Sequence, residues 1–398
     1  MRKTLFRICF KTLLGYNFYM KNKKEITLSV VCCVVFLLGC VSGERQVRIF
    51  NANNGNVLRI RNAVPGYTRE DIGNSPNQSG DVFATLQNVD NCEGWKNRST
   101  IRVYDTNATL QCTSFIPFPD GIYLGPSEFS VCFGMVVYWN SRFNSSHKWW
   151  EDAKELCVAT LSNENCVKNI KKIPMPSGCS SADWDDQSFV WTSPTSVVVN
   201  VDCETSKKFI KKIAIIDTLS GNYRFLPFII RGEVCAKSSF QGSLSGRYFA
   251  FISDKKEVIV CNGLGEVCHI IDKDKLKEFG VDDPPDTMLY NFITLCWDDD
   301  DILWVFRSNG EYVGIDVEAK SIKKHGKIRL GDEECLMGFI QGRYAVTKKR
   351  RSSDILRSIL GNKFYIKDIE TGDCIMEMPN YISRFFYIGN GLLLFEDL

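Results

Sequence analysis

The sequence predicts an all-β protein built from one repeated unit. Three observations lead to this prediction: an evenly spaced strand–turn–strand pattern, a polar turn residue in each copy, and chain ends that each hold part of a unit. The copies read VRIFN, IRVYD, LCVAT, IAIID, VIVCN, YVGID and FYIKD, and they end in Asn51, Asp105, Thr160, Asp217, Asn262, Asp316 and Asp368. Successive turn residues are 54, 55, 57, 45, 54 and 52 positions apart. A strand repeat of about 50 residues is typical of a β-propeller, with one four-stranded blade per repeat.

The turn residues have the chemistry that a tight hairpin needs. Asp and Asn side chains accept hydrogen bonds from the backbone about two residues on, and Thr does so more weakly. A glycine follows four positions later at Gly55, Gly221 and Gly372, where the hairpin can use a positive φ. Lys320 takes this position after Asp316. The alternative at this stage is a β-sandwich whose hairpins are evenly spaced.

The two chain ends complement each other. After Asp368 the chain has room for two further strands, over Arg384–Ile388 and Leu392–Phe395, and before Asn51 it has room for about one. Joining these pieces completes a seventh blade and closes the ring, which removes free sheet edges. We therefore predict a single seven-bladed β-propeller over residues 47–398, closed by N- and C-terminal strands that share one blade.

The N-terminus has the layout of an export signal. A basic segment, 20–24, precedes an apolar stretch over 26–41 that is short for a membrane span. The stretch ends in Leu37-Leu38-Gly39-Cys40, which resembles the lipobox of bacterial lipoproteins. The resemblance implies that 1–39 is a signal peptide, with Met20 as a second candidate start. It also implies that Cys40 carries lipid (palmitate among the acyl chains) and that 40–46 is a tether. A signal anchor, or a signal peptide with an unrelated cysteine, is the alternative.

The same resemblance implies a location in the cell envelope, with the protein held to the membrane through its lipid. Val41 follows the cysteine, which would permit sorting to the outer membrane if the host is a diderm bacterium.

Composition and motifs give no indication of catalysis. The formal net charge of +2 does not suggest nucleic-acid binding, and His147, His269 and His325 fall in three different repeats. We expect no catalytic residue, no metal and no cofactor, although paired carboxylates for glycan chemistry need no local motif and stay open. The acidic run over 298–301 is interpreted as a solvated turn, with a calcium loop as the alternative.

Cysteine is frequent, with 17 in the chain. Cys157 and Cys166 flank one hairpin, and Cys261 and Cys268 flank another, so each pair is a candidate disulfide in an exported protein. The alternative is that many of the cysteines are small buried hydrophobic residues, because directly opposed strand cysteines often have poor disulfide geometry.

The long loops indicate a binding face. In a propeller, the loops between the second and third strands of every blade share one face, and here they are long over about 91–100, 140–154, 203–211 and 347–362. They carry aromatic residues beside cations, a combination typical of contact surfaces. The residues that we assign to this face are Trp95, Trp149, Trp150, Lys348, Lys349, Arg350 and Arg351. Separate solvated loops are the alternative.

At the level of fold, the repeat resembles WD-repeat and YVTN-type propellers, which implies protein–protein contact without chemistry. We therefore predict a membrane-tethered extracytoplasmic scaffold, a monomer, that binds a protein or glycan partner through one propeller face. The alternative is an exported glycan-active hydrolase or lyase with its site at the propeller channel. Fold alone does not decide between them.

Overall fold

The computed structural model divides the chain into two compact units, residues 1–44 and 45–398. The residues that it describes all lie in the second unit: 46–59, 71–72, 82–89, 98–105, 107, 109–117, 129–140, 142–144, 149–151, 153–162, 167–181, 189–205, 209–230, 240–281, 293–349, 363–378 and 382–397. The predicted signal peptide and Cys40 lie outside these ranges. No helix in the described ranges is long and apolar enough to cross a bilayer.

The described chain is almost entirely antiparallel β-sheet. It begins with a hairpin of β1 (Gln46–Asn51) and β2 (Val57–Arg59). Sheet 1 follows, in the order β3 (Asp71–Ile72), β4 (Val82–Val89), β5 (Arg98–Asp105) and β6 (Leu110–Pro117). Sheet 2 has the order β7 (Phe129–Cys132), β8 (Met135–Trp139), β11 (Glu155–Thr160) and β12 (Lys168–Pro174). A separate hairpin of β9 (Arg142–Asn144) and β10 (Trp149–Glu151) lies between β8 and β11 in the chain.

The next two sheets follow the same plan. Sheet 3 contains β13 (Cys179–Ser181), β14 (Phe189–Ser193), β15 (Ser196–Glu204), β16 (Phe209–Asp217) and β17 (Tyr223–Ile230), and both β13 and β14 pair with β15. Sheet 4 has the order β18 (Phe240–Gly242), β19 (Tyr248–Ile252), β20 (Val258–Asn262) and β21 (Val267–Ile271). A short helix, α1 (Lys273–Glu278), follows β21, and the carboxylate of Asp272 caps its first turn.

The last sheets end by joining the two termini. Sheet 5 has the order β22 (Ile293–Trp297), β23 (Ile302–Arg307), β24 (Glu311–Asp316) and β25 (Ser321–Lys327). Sheet 6 has the order β26 (Glu334–Ile340), β27 (Tyr344–Lys349), β28 (Lys363–Asp368) and β29 (Cys374–Glu377). Sheet 7 contains β30 (Ile382–Gly389) and β31 (Leu392–Asp397), and β31 then pairs with β1, which continues to β2. The predicted pairing of the terminal strands is confirmed.

The predicted turn chemistry is confirmed at six of the seven positions. The side-chain oxygens of the Asp and Asn turn residues accept hydrogen bonds from backbone N–H groups two to four residues on: Asn51, Asp105, Asp217, Asn262, Asp316 and Asp368. The glycines that follow have φ of 74°, 81° and 74° at Gly55, Gly221 and Gly372. Lys320 keeps the same backbone conformation, with φ of 53°, although its side chain disfavours it.

The hydrophobic core is divided into clusters that lie between neighbouring sheets. One cluster joins sheets 1 and 2, and others join sheets 2 and 3, 3 and 4, 4 and 5, 5 and 6, and 6 and 7. Sheet 7 also contacts sheet 1, where β31 lies against β3. Sheets 2 to 6 each border two of these clusters and are therefore buried on both faces, which explains why central strands such as β23 are apolar throughout and do not alternate.

A second inter-sheet contact recurs at the sheet periphery. The turn between the third and fourth strands packs against the fourth strand of the preceding sheet. The Lys171 ammonium on β12 donates to the Leu219 carbonyl, and the Ser114 hydroxyl on β6 donates to the Ser162 carbonyl at 2.7 Å. A Cβ on Gly55 would lie 3.3 Å from Cε of Met376 on β29, so the glycine lets sheet 7 approach sheet 6.

Candidate functional site

Each sheet has two distinct ends. We call the end with the first-to-second and third-to-fourth strand connections the turn end, and the opposite end the loop end. Turn-end connections are tight, such as Phe133 and Gly134 between β7 and β8, or Asn390 and Gly391 between β30 and β31. The longest second-to-third strand connections, 140–154 and 350–362, are at the loop end. The predicted long connections are present in sheets 2 and 6. The loop predicted over 203–211 is wrong, because β15 ends at Glu204 and β16 begins at Phe209.

The connection in sheet 2 contains more structure than a loop. Residues 140–154 are predicted to form a loop. Instead, β9 and β10 form an added hairpin there, in which Trp149 is opposite Asn144 and Trp150 is opposite Phe143. Asn140 fixes the base of the connection because its amide donates to Glu155 at 2.6 Å.

The cationic site residues of sheet 6 lie at the end of β27. Lys348 has its ammonium 5.8 Å from the centroid of the Phe364 ring, and the neighbouring Lys349 is exposed. Lys349 is opposite Lys363 in the pairing of β27 with β28, and Lys363 forms an ion pair with Glu377 at 2.7 Å. This corner of the sheet therefore has an excess of positive charge.

A buried ion pair supports this corner. Lys367 on β28 reaches Glu334 on β26 at 2.6 Å, and Thr347 on the intervening strand donates to the same carboxylate. The two charged side chains are 11% and 6% exposed. Burial opposes ionisation of Glu334, but the hydrogen bonds from Lys367, Thr347 and the backbone N–H of Gly331 together lower its pKa. The network joins three adjacent strands of sheet 6, from Glu334 at the loop end to Lys367, which is one residue before the Asp368 turn.

The predicted binding residues are only partly described. Trp95, Arg350 and Arg351 lie outside the described residues, as does Cys40. The two tryptophans belong to the insertion of sheet 2 and the two lysines to sheet 6, and no described contact brings the two groups together. Their common feature is position: the tryptophans lie within a second-to-third strand connection, and the lysines end the strand that leads into one.

The acidic run 298–301 is a solvated turn only in part: Asp299 and Asp300 are exposed, but the prediction is wrong for Asp298 and Asp301, which are buried. Asp298 is 1% exposed and accepts hydrogen bonds from Nε1 of Trp304 at 2.9 Å and from the backbone N–H of Ile302 and Asp300 at 3.0 Å. Burial raises the pKa of Asp298, and these bonds oppose the rise. The Asp298 carboxylate therefore serves as the acceptor for the backbone N–H groups of its own turn, which would otherwise be unpaired.

The other carboxylates of this run connect different sheets. Asp301 forms an ion pair with Arg247 of sheet 4 at 2.7 Å. Asp299 accepts a hydrogen bond from the Tyr387 hydroxyl of sheet 7 and another from the Asn390 backbone N–H at 3.0 Å. One turn of sheet 5 therefore contacts sheets 4 and 7. Such long-range partners have no local sequence signal.

The described residues give no support for a metal centre. No group of three or more His, Cys, Asp and Glu side chains among them is arranged to hold a metal ion. His269 on β21 has a pKa lowered by burial and by the nearby Lys275 and Lys320, and His325 packs against the Phe279 ring. The neighbours of these two histidines are therefore lysines and an aromatic ring. His147 lies outside the described residues.

Both predicted disulfides are wrong in the described part of the chain. Cys157 is a free, buried thiol, opposite Lys172 on β12. Cys261 and Cys268 are also free, because a β-bulge places Val267 opposite Cys261 and leaves Cys268 as the extra residue.

The disulfide in the structure joins Cys179 on β13 to Cys203 on β15, with Cα atoms 4.2 Å apart. The two residues are 24 positions apart, so the hairpin spacing used in the sequence analysis could not indicate this pair.

Sequence reasoning also missed an exposed apolar group on sheet 4. Leu264, Val267 and Ile270 lie within seven residues of the β20–β21 hairpin, and their side chains are 69%, 44% and 49% exposed. The sequence signal was a strand without charge or proline, VCHII, in the outermost position of its repeat.

The described architecture is all-β and consists mainly of four-stranded antiparallel sheets, which is compatible with a β-propeller. No protein-family model matches the chain, and no curated protein matches it. Among solved structures, the chain is similar to the β-propeller domain of Myceliophteria thermophila Cps50 (Swd1), at 9% identity over 83% of this chain and all of that chain, with a TM-score of 0.43.

It is also similar to a putative 6-phosphogluconolactonase from Bacteroides uniformis, at 10% identity over 84% of this chain and 95% of that chain, with a TM-score of 0.41. At these identities neither name says what this chain binds or catalyses.

Proposed function

We propose that the second unit is a seven-bladed β-propeller that closes through sheet 7 and serves as a binding scaffold. The closed ring is supported by the hydrophobic clusters between consecutive sheets and by the contact of β31 with β3. Sheet 7 supplies the join, since β31 and β1 pair from Gln46 and Asp397 to Asn51 and Leu392. A closed ring leaves only short, protected strand edges, so its rigid body can carry variable loops.

The binding role is carried by one observation: the two longest connections between second and third strands, 140–154 and 350–362, lie at the loop end. Protein-contact surfaces favour aromatic side chains and arginine over lysine and glutamate. The β9–β10 hairpin contains Trp149 and Trp150, and the basic run 348–351 begins with Lys348 and Lys349 at the end of β27. The partner is a protein or glycan that meets this end of the molecule.

Catalysis at the channel is the weaker alternative. Glycoside chemistry needs two carboxyl groups free to act as acid and base or nucleophile. The buried carboxylates of the described residues are engaged: Asp298 with Trp304, Asp301 with Arg247, and Glu334 with Lys367. None of these three is available as a free acid or base.

Membrane attachment through a lipid on Cys40 is the second part of the proposal. It rests on the basic–apolar–Leu-Leu-Gly-Cys layout of the N-terminus. The disulfide between Cys179 and Cys203 is consistent with an oxidising compartment, where such bonds persist.

The binding face is tested by pull-down of the tethered full chain from its native envelope. We expect Trp149→Ala/Trp150→Ala to lose the partner that the wild type recovers. Phe133→Ala is the matched control, since Phe133 is an exposed aromatic residue at the turn end, and it should recover the partner. Equal recovery by the loop-end variant and the wild type would refute the assignment of this face.

The anchor is tested by metabolic labelling with a radioactive fatty acid. We expect the label to be lost in Cys40→Ala and retained in Cys33→Ala, which removes another cysteine of the same apolar stretch. Label that persists in Cys40→Ala would overturn the anchor without affecting the propeller.

A further inference from the structure

Two lysines face each other at the loop end of sheet 6. Lys349, the last residue of β27, is opposite Lys363, the first residue of β28. Directly opposed residues of an antiparallel pair have Cβ atoms about 4.5–5.5 Å apart, and like charges in these positions destabilise the sheet. The pair therefore costs stability unless an anion lies beside both lysines.

The equivalent junctions of sheets 3 and 5 are matched in charge. Near the loop end of sheet 3, Asp202 on β15 is opposite Lys211 on β16. At the loop end of sheet 5, Arg307 on β23 pairs with Glu311 on β24 at 2.9 Å. In both sheets a cation meets an acid across the second-to-third strand junction, and sheet 6 departs from this pattern.

The acidic residues close to Lys349 are engaged with other cations. Glu334 is opposite Lys349 on β26, but its carboxylate pairs with Lys367 at 2.6 Å. Glu377 pairs with Lys363 at 2.7 Å, so it offsets only one of the two facing charges. Within the described part of the chain, the exposed ammonium of Lys349 has neither an ion pair nor a hydrogen bond.

We propose that this corner of sheet 6 binds a carboxylate-rich segment of a protein partner, an inference that rests on the proposed binding role of the loop end. A partner carboxylate beside Lys349 supplies the anion that the fold itself lacks, so binding relieves the repulsion between the two facing lysines. Lys348 adds a third positive charge, and the sequence continues the basic run with Arg350 and Arg351.

The arrangement of the charges favours a polypeptide over an acidic glycan. Successive strand residues point to opposite faces, and Lys348 lies on the face of Phe364, with its ammonium 5.8 Å from the ring centroid, whereas Lys349 lies on the other face. Asp and Glu carry their carboxylates on flexible side chains that can reach both faces of one strand end, whereas a uronic acid holds its carboxylate on a ring. Tyr365, half-buried on β28, is of a residue type enriched in protein contacts.

A peptide of about ten glutamates is the probe, immobilised for biolayer interferometry with the full chain in non-ionic detergent. We expect binding that weakens as NaCl rises from about 50 to about 500 mM, because salt screens exposed charges. Lys349→Glu should weaken binding about tenfold or more, mainly by slowing association. Absence of binding by the wild type at low salt would overturn the proposal.

The matched control is Lys255→Glu, which makes the same change of charge at the same end of the molecule. Lys255 is an exposed residue of the second-to-third strand connection in sheet 4, where the run 254–257 (Asp-Lys-Lys-Glu) has balanced charge. The control should bind the peptide as the wild type does. An equal loss in both variants would show that the peptide senses net charge only, and this would overturn the proposal.

Two further variants and probes keep the test specific. Lys349→Arg keeps the charge and should bind as the wild type does. Lys349→Glu places an acid opposite Lys363, so its thermal melting temperature should equal or exceed that of the wild type. Lost binding with an intact fold then reports on the site. Alginate, a uronic acid polymer, that bound as tightly as the peptide and was lost in Lys349→Glu would overturn the choice of a protein partner.

Pull-down of the native partner separates this inference from the binding role of the loop end. We expect the partner to be lost both in Trp149→Ala/Trp150→Ala and in Lys349→Glu. A partner that is lost in the tryptophan variant but retained by Lys349→Glu would overturn the inference about the acidic segment alone. A partner retained by both variants would refute the binding face as well.

Discussion

Replacing Gly314 by alanine should destabilise the protein through a single aromatic contact. Gly314 on β24 is opposite Trp304 on β23, and the indole covers the glycine. A Cβ built on Gly314 lies 2.8 Å from Cζ3 and 2.9 Å from Cη2 of Trp304. Carbon atoms in ordinary contact are about 3.5–4.0 Å apart, so either the indole or the strand must move.

Trp304 has little freedom to move away. Its ring stacks on Phe339 with centroids 4.4 Å apart and an interplanar angle of 18°, and its Nε1 donates to the buried carboxylate of Asp298 at 2.9 Å. Overpacking of a core typically costs about 1–3 kcal/mol. Weakening a hydrogen bond to a buried carboxylate adds about 1 kcal/mol or more. We therefore expect Gly314→Ala to lower the free energy of unfolding by about 3 kcal/mol.

The measurement is urea unfolding followed by tryptophan fluorescence and near-ultraviolet circular dichroism. Gly338→Ala in the neighbouring β26 is the matched control, because a Cβ there meets no atom within 4 Å and the backbone does not need a positive φ. The control should change the free energy of unfolding by less than about 1 kcal/mol. Equal stability of the two variants would show that the indole yields without penalty and would refute the argument.

Three further results are expected. Lys320→Gly should raise the free energy of unfolding by about 0.5 kcal/mol in urea titration, because relief of the left-handed backbone exceeds the entropic cost of glycine; a loss would contradict this. Lys367→Met should cost about 3 kcal/mol at pH 7, since it leaves the Glu334 carboxylate buried and unpaired. The pKa of Glu334 is lowered in the folded state, so its contribution is complete above the unfolded value and is lost as pH falls through the folded one. The deficit of Lys367→Met should therefore shrink below about pH 4, and a constant deficit would exclude the charge mechanism. Maleimide should label Cys268 in the native protein but not Cys261, whose pKa burial raises to about 12, and mass spectrometry that finds both protected would restore the disulfide between them.

The repeating features of the fold could be predicted because their signals are local. An Asp or Asn at the end of a strand, with glycine four residues later, specifies its own hairpin through hydrogen bonds within the turn. The unequal chain ends, with two strands after Asp368 and one before Asn51, were enough to predict that β31 pairs with β1. Each of these inferences uses residues a few positions apart or a count of strands.

The contacts between sheets could not be predicted in this way. Asp299 is hydrogen-bonded to Tyr387 and Asn390, about 90 positions away in the chain. Nothing in the run of four aspartates indicates that Asp298 and Asp301 are the two that are buried. The same holds for Cys179 and Cys203, whose pairing depends on how β13 meets β15. The tryptophan pair was recognised as a candidate contact residue from its type, but its placement on a hairpin depended on the pairing of β9 with β10.

The pairing of β1 with β31 has a consequence for how the protein is made. Strand β1 is translated before its partner β31, which is the last strand of the chain. The edge of β1 that pairs with β31 therefore stays unpaired through almost the whole of elongation. Long-range strand pairing is slow because the intervening chain must first be gathered, and an open strand edge is prone to aggregation in the meantime. Sheet 7 can therefore be completed only after its last strand has been translated.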